Sequence, residues 1–327
     1  MYQFIEALRA LAVVFIVNSH LKGVYPSDSF SFGAGMGLAL FYMISGYLLA
    51  GAAKREHLGK WYVRKVLRLY IPLWIYKTVM VGVGYEAVHG FGGFFRSFLF
   101  PAYWFVASMV VMYGVYGLFV KKIYRVYGKA SLYAALALSA GVFGVLYGTK
   151  APIGALDLRT LTVGAFELET YSFMTQWIWF GCMLLGLMLA GAKGDAASGK
   201  NRVFYLFGAV FFFGLSVWMK GLLREPGPES LMVLPEWFYV GFGYCLFQSF
   251  MGWESLWQRM ADKKVWKLTE LLSRCSLEIY YCQFFWIHVG RQAGFPFNLF
   301  CIWAGIGVSG YLLHRFSQII ISRLERV

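Results

Sequence analysis

Ten stretches of this chain are each long and apolar enough to cross a bilayer, which takes about 20 residues of helix. They are 5–25, 33–53, 66–84, 98–120, 130–148, 171–191, 203–222, 232–252, 270–290 and 297–319. No other feature limits the fold as tightly. In hydrocarbon each backbone N–H and C=O must be satisfied within the segment, so spans of this length are helices. The expectation is an all-α, polytopic membrane protein with about ten transmembrane helices. Composition agrees: 59% of residues are hydrophobic, 20% aromatic and only 14% charged, against roughly 45–50% apolar in ordinary soluble domains. No connection is long enough for a second folded unit, so residues 1–327 read as a single transmembrane domain without an appended soluble one. The first apolar segment runs into the second without a small-residue cleavage site, and reads as a retained helix rather than a signal peptide.

Lysine and arginine gather on alternate connections. One side takes Lys54, Arg55, Lys60, Arg64, Lys65 and Arg68, then the basic groups at 121–129, 193–202, 259–274 and 315–326. The other takes only Lys22, Arg96, Lys150, Arg159, Lys220, Arg224 and Arg291, with Arg9 and Lys77 set aside as lying within helices. The basic side is cytoplasmic, so both termini are inside (N-in/C-in), as an even number of spans requires. The formal net charge of +14 is thus an orientation device facing anionic membrane lipid, and is poor support for a nucleic-acid partner. Cys182, Cys245, Cys275, Cys282 and Cys301 fall in or beside apolar segments without metal-ligand spacing. They read as small buried hydrophobes, and no metal is expected.

Ionisable groups inside the first span need a reason to be there. Glu6, Arg9 and His20 share that span with the apolar run 10–17. From Arg9 to His20 is about 16 Å along a helix and about three whole turns, so both side chains leave one face, with Glu6 a turn before Arg9. That face turns toward the protein interior or a water-filled tunnel. A second polar face opens the third span, where Arg64 and Arg68 stand at i,i+4, Lys65 lies about 100° round the helix, and Pro72 follows. Paired guanidinium groups at a cytoplasmic mouth can hold phosphates by bidentate contacts. Positive-inside anchoring beside interfacial Trp61 and Tyr62 explains the same residues.

Four segments resemble the acyltransferase 3 family of bacterial integral-membrane carbohydrate O-acyltransferases. Glu6-Ala7-Leu8-Arg9 through His20 is similar to the family's opening arginine, ten residues, histidine pattern. Phe41-Tyr42-Met43-Ile44-Ser45-Gly46-Tyr47-Leu48 is similar to its second helix, Arg64 to Trp74 to its arginine-rich third-helix start, and Tyr103-Trp104-Phe105-Val106 to the opening of its fourth. A later stretch, Ser276-Leu277-Glu278-Ile279-Tyr280-Tyr281-Cys282-Gln283, is similar to a motif that ends in histidine, with Gln283 in that histidine's place. An amide cannot take a proton near neutral pH.

The resemblance implies an enzyme of the bacterial cytoplasmic (inner) membrane that moves an acyl group, most simply acetyl, from cytoplasmic acetyl-CoA to a hydroxyl of a cell-envelope glycan. The acceptors it implies are a surface polysaccharide or a lipid-linked oligosaccharide, with protein-linked glycan and peptidoglycan also open. Such chemistry needs a group that takes the hydroxyl proton or carries the acyl, and something to stabilise the oxyanion. On this reading His20 is base or transient acyl carrier, Arg9 a charge-stabilising or positioning residue, and Glu278 a further catalytic candidate whose alternative is an ion pair with a buried arginine. Arg64, Arg68 and, from its neighbouring face, Lys65 would hold the donor phosphates. Ser45 reads as a small packing residue beside Gly46. His57, His89, His288 and His314 suggest no role.

Two connections on the outer side have residues suited to a sugar: 149–170 with Asp157, Arg159, Glu167 and Glu169, and 220–236 with Arg224, Glu225, Glu229 and Glu236. Tyr171, Trp177, Trp179, Trp237 and Tyr239 flank them, as platforms for sugar rings or as an interfacial aromatic belt. A multi-helix transporter or flippase for a glycan or small solute is the rival reading, although the chain shows no inverted repeat. A non-catalytic scaffold is a third, for which Gln283 is the main hint.

Overall fold

Each apolar segment of the sequence becomes helix, and the departures lie at the segment ends. The computed structural model describes residues 2–55, 57–99, 103–150, 161–163, 166–168, 170–191, 199–222 and 233–324. In chain order the helices are α1 (Gln3–Ser19), α2 (Ala34–Arg55), α3 (Leu58–Gly82), α4 (Gly90–Leu99), α5 (Trp104–Leu118), α6 (Arg125–Lys150), α7 (Thr170–Gly191), α8 (Gly199–Leu222), α9 (Val233–Gly252), α10 (Glu254–Ala261), α11 (Trp266–Arg274), α12 (Ser276–Gly290) and α13 (Phe297–Leu324). A 3₁₀ turn occupies Asp28–Phe30. Two three-residue strands, β1 (Leu161–Val163) and β2 (Phe166–Leu168), pair antiparallel with Leu161 opposite Leu168. Four helical stretches are by length and hydropathy able to cross a membrane among the described residues: Asp28–Gly51, Trp104–Leu146, Asn201–Met219 and Phe297–Leu324. Thr175–Gly191 is a shorter apolar helix. The remainder are shorter or carry charge: α1 has 17 residues and Glu6, α12 has 15 and Glu278.

Two segment ends differ from the sequence reading. The ninth predicted span is two helices, α11 and α12, that meet at Cys275 with φ −94° and ψ 13°. Lys267, Glu270 and Arg274 make α11 amphipathic, so it does not simply continue the apolar α12. The connection expected at 121–129 is instead a π-helical turn, Phe119–Tyr124, running into α6. The backbone breaks at Gly128, whose φ of 59° and ψ of −141° only glycine adopts without strain.

The chain forms two compact units. One comprises Met1–Gly37, His57–Gly114 and Trp257–Val327, the other Leu38–Glu56 and Val115–Leu256. In the second unit α2 and α7 cross at contact distance. A Cβ added to Gly46 would run into the backbone of Met183, and one added to Gly186 into that of Met43, so the crossing requires two glycines. The buried Tyr116 hydroxyl donates to the Gly46 carbonyl at 2.6 Å, and Tyr42 stacks on Trp179 at 5.8 Å.

In the first unit α12 packs on α13, α13 on α3, and α1 on both α11 and α12. Asn18 fixes the segment after α1 by donating to the carbonyls of Phe30 and Phe32 and accepting from Tyr25. The near part of that segment is tied down by Asn298, which donates to the Val24 carbonyl, and by Arg291, which donates to that of Lys22. α4 is held against α3 by bonds from the Tyr70 hydroxyl to the Leu99 carbonyl and from the Trp74 indole to that of Phe98.

Candidate functional site

The residues singled out in the sequence, Arg9, His20, Arg64, Lys65, Arg68 and Glu278, all belong to the first unit. The polar face of α1 turns inward. Glu6 is buried and lies within electrostatic reach of Arg9, and Arg9 in turn reaches Tyr113 on α5. Tyr113 is also within reach of Arg68. Arginines from α1 and α3 are therefore both within electrostatic reach of one phenol, although nearly sixty residues separate them in sequence. Arg68 is exposed while Arg64 and Lys65 are half-buried, so the basic face of α3 carries charge from the surface inward.

Past Tyr113 the polar row continues through Tyr281. Its fully buried ring lies within electrostatic reach of Tyr113 and Glu278, and its hydroxyl donates to the Leu69 carbonyl at 3.0 Å. That carbonyl is beside the turn where Pro72 removes a helical donor. Tyr281 is also the centre of an aromatic cluster. Its ring centroid is 6.4 Å from Tyr76, 5.7 Å from Tyr103 and 5.8 Å from Tyr280. Tyr103 and Tyr280 both reach Phe284, at 5.9 and 6.2 Å. Phe284 meets the His20 ring edge-on at 4.9 Å. His20 is the residue that ends α1, and its half-buried ring faces α12 with no hydrogen bond to its nitrogens from the described residues. The result is a run of side chains from Arg68 through Tyr113, Tyr281 and Tyr103 to His20.

Among the described residues Glu278 finds its ion-pair partner in His314, not in an arginine. Its Oε1 lies 2.9 Å from His314 Nδ1 and accepts from Ser317 Oγ at 3.4 Å, so α12 and α13 are joined at a buried carboxylate. The sequence suggests no role for His314; only the fold, which brings residues 36 positions apart together, shows its partner. Gln283 is fully buried, and neither its amide oxygen nor its nitrogen has a partner among the described residues. Such an orphaned amide costs about 1–3 kcal/mol unless a water or a ligand completes it.

The predicted sugar platforms fare differently. Trp179 and Tyr239 are core residues of the second unit, 3% and 4% exposed, and the Trp179 ring stacks on Tyr42. The side chains of Asp157, Arg159, Glu167, Glu169, Tyr171, Arg224, Glu225 and Glu229 lie outside the described residues. Among the described residues no three His, Cys, Asp or Glu side chains cluster as metal ligands would.

Tyr103 and Tyr281 were legible only as parts of motifs, and Lys77 only as a charge inside an apolar segment. Lys77 is 6% exposed, its Nζ 2.6 Å from Glu86 Oε2 and 5.1 Å from the centroid of Tyr103.

Long apolar helices with ionisable side chains turned into the protein define a membrane protein with a polar interior. A family model described as an acyltransferase domain, that of the acyltransferase 3 family, matches residues 2–322, nearly the whole chain. The chain belongs to that family, and is a membrane acyltransferase. Comparisons with curated proteins and with solved structures give no match.

Proposed function

We propose that this protein transfers an acetyl group from cytoplasmic acetyl-CoA to a hydroxyl of a cell-envelope glycan, in a bacterial inner membrane that it crosses ten times with both termini inside. The observation that carries this reading is the run of side chains from Arg68 to His20 within one unit. It begins with guanidinium groups at the basic end of α3 and finishes at an imidazole at the opposite end of α1. Charge-assisted contacts from Arg64, Arg68 and Lys65 suit the donor phosphates, and a pantetheine arm has the length to carry the thioester toward His20.

His20 then acts as base. Its imidazole takes the proton of the acceptor hydroxyl as that oxygen attacks the thioester carbonyl. The carbon–sulfur bond breaks, the acyl group stays on the acceptor oxygen, and the thiolate takes a proton on leaving. Alternatively the imidazole carries the acyl group between the two substrates. Arg9 and Tyr113 provide positive charge and a hydroxyl along the donor's path. The Glu278–His314 pair lies near the basic end of the row and keeps α12 and α13 in register.

Purified protein given labelled acetyl-CoA and de-esterified envelope glycan is expected to form an ester, and His20→Ala to form none while remaining folded. Transport of unmodified solute without ester formation would instead identify a carrier.

A further inference from the structure

Lys77, which is buried, and Glu86, which is partly exposed, form an ion pair that the run from Arg68 to His20 does not use. Taking the Lys77 ammonium out of water is costly even beside a carboxylate, so packing alone is a poor reason for it, and an ionisable residue inside an apolar helix is by default functional. Its location is specific. Lys77 lies five residues before the end of α3, and Phe284 six before the end of α12, about 7.5 and 9 Å at ~1.5 Å per residue. Those two ends are neighbours, because Tyr85 packs edge-on against Phe285 at 5.1 Å and His288 at 5.8 Å. The end of α1 is there too, since Arg291 donates to the Lys22 carbonyl. The ion pair and His20 are therefore at similar depth, with Tyr103 touching both Lys77 and the Phe284 ring that holds His20.

We propose that Lys77, Glu86, Tyr85 and Tyr103 form the acceptor subsite, and that its ligand is an uncharged pyranose presenting neighbouring hydroxyls. The assignment rests on the acyl-transfer reading above. The Glu86 carboxylate keeps 23% of its side-chain surface exposed, and Tyr85 is 39% exposed. A carboxylate accepts from two adjacent hydroxyls, an ammonium donates to a third oxygen, and a phenol ring covers the apolar face of a sugar. An anionic ligand fits less well. The ammonium is already neutralised at 2.6 Å, and the partly open group at the mouth is the carboxylate, which repels phosphate and uronate alike.

The test uses the full-length protein in liposomes with labelled acetyl-CoA and de-esterified envelope glycan, and measures KM for each substrate separately. Glu86→Gln and, at the exposed position, Tyr85→Ala are each expected to raise the acceptor KM at least tenfold while the acetyl-CoA KM moves by less than twofold. Thermal midpoints identify any variant that fails to fold, and the Tyr85→Ala result then decides. An acceptor KM within twofold of the parent in the folded variants, or donor and acceptor KM rising together, overturns the subsite alone, provided the parent forms ester and His20→Ala does not. A parent that forms no ester overturns both the subsite and the reading it rests on.

Discussion

At the scale of single residues, the candidate site runs from an exposed charge to buried polar groups. Arg68 joins the exposed end of the row to Tyr113. A charge-assisted hydrogen bond contributes about 1.5–3 kcal/mol, which corresponds to roughly tenfold to a hundredfold in affinity. Arg68→Ala is accordingly expected to raise the acetyl-CoA KM by about tenfold or more and to leave the acceptor KM nearly unchanged. Steady-state kinetics with each substrate varied in turn would reveal it. Arg9, His20, Arg64 and Arg68 were legible because a charge in an apolar helix stands out and helical periodicity assigns it a face. Lys77 carried the same signal, yet its role needs Glu86, which lies beyond the end of α3. The partner of Glu278 was illegible for a related reason: residues 278 and 314 occupy different helices, and nothing local to either encodes the register of α12 on α13.

At the scale of helices, hydropathy located the segments well because each must satisfy its own backbone in lipid. Their ends were less legible. The break at Cys275 separates an amphipathic α11 from an apolar α12, and a twenty-residue window averages across such a joint. The break at Gly128 depends on a positive φ that composition does not announce. The sequence suggests Ser45 as the packing residue, but the close approach falls on its neighbour Gly46, whose crossing with Gly186 leaves no room for a side chain. Gly46→Leu should therefore lower stability by about 1–3 kcal/mol through overpacking, read as a fall in the thermal midpoint of the detergent-solubilised protein. An unchanged midpoint would mean that α2 and α7 do not approach as described.

At the scale of the whole molecule, the proposed orientation and the proposed reaction depend on each other. In the proposed orientation the basic connections face the cytoplasm, and with them the arginine end of the first unit, from which the row of side chains leads to His20. A donor that never leaves the cytosol can in this way serve an acceptor on the other side. The measurement that tests this most directly uses sealed inside-out vesicles holding de-esterified glycan in their lumen, with labelled acetyl-CoA added only outside. The account predicts label appearing as ester on lumenal glycan, insensitive to an esterase added outside, and absent from vesicles bearing folded His20→Ala. Ester confined to glycan on the outer face, or formed equally well without the imidazole, would contradict it.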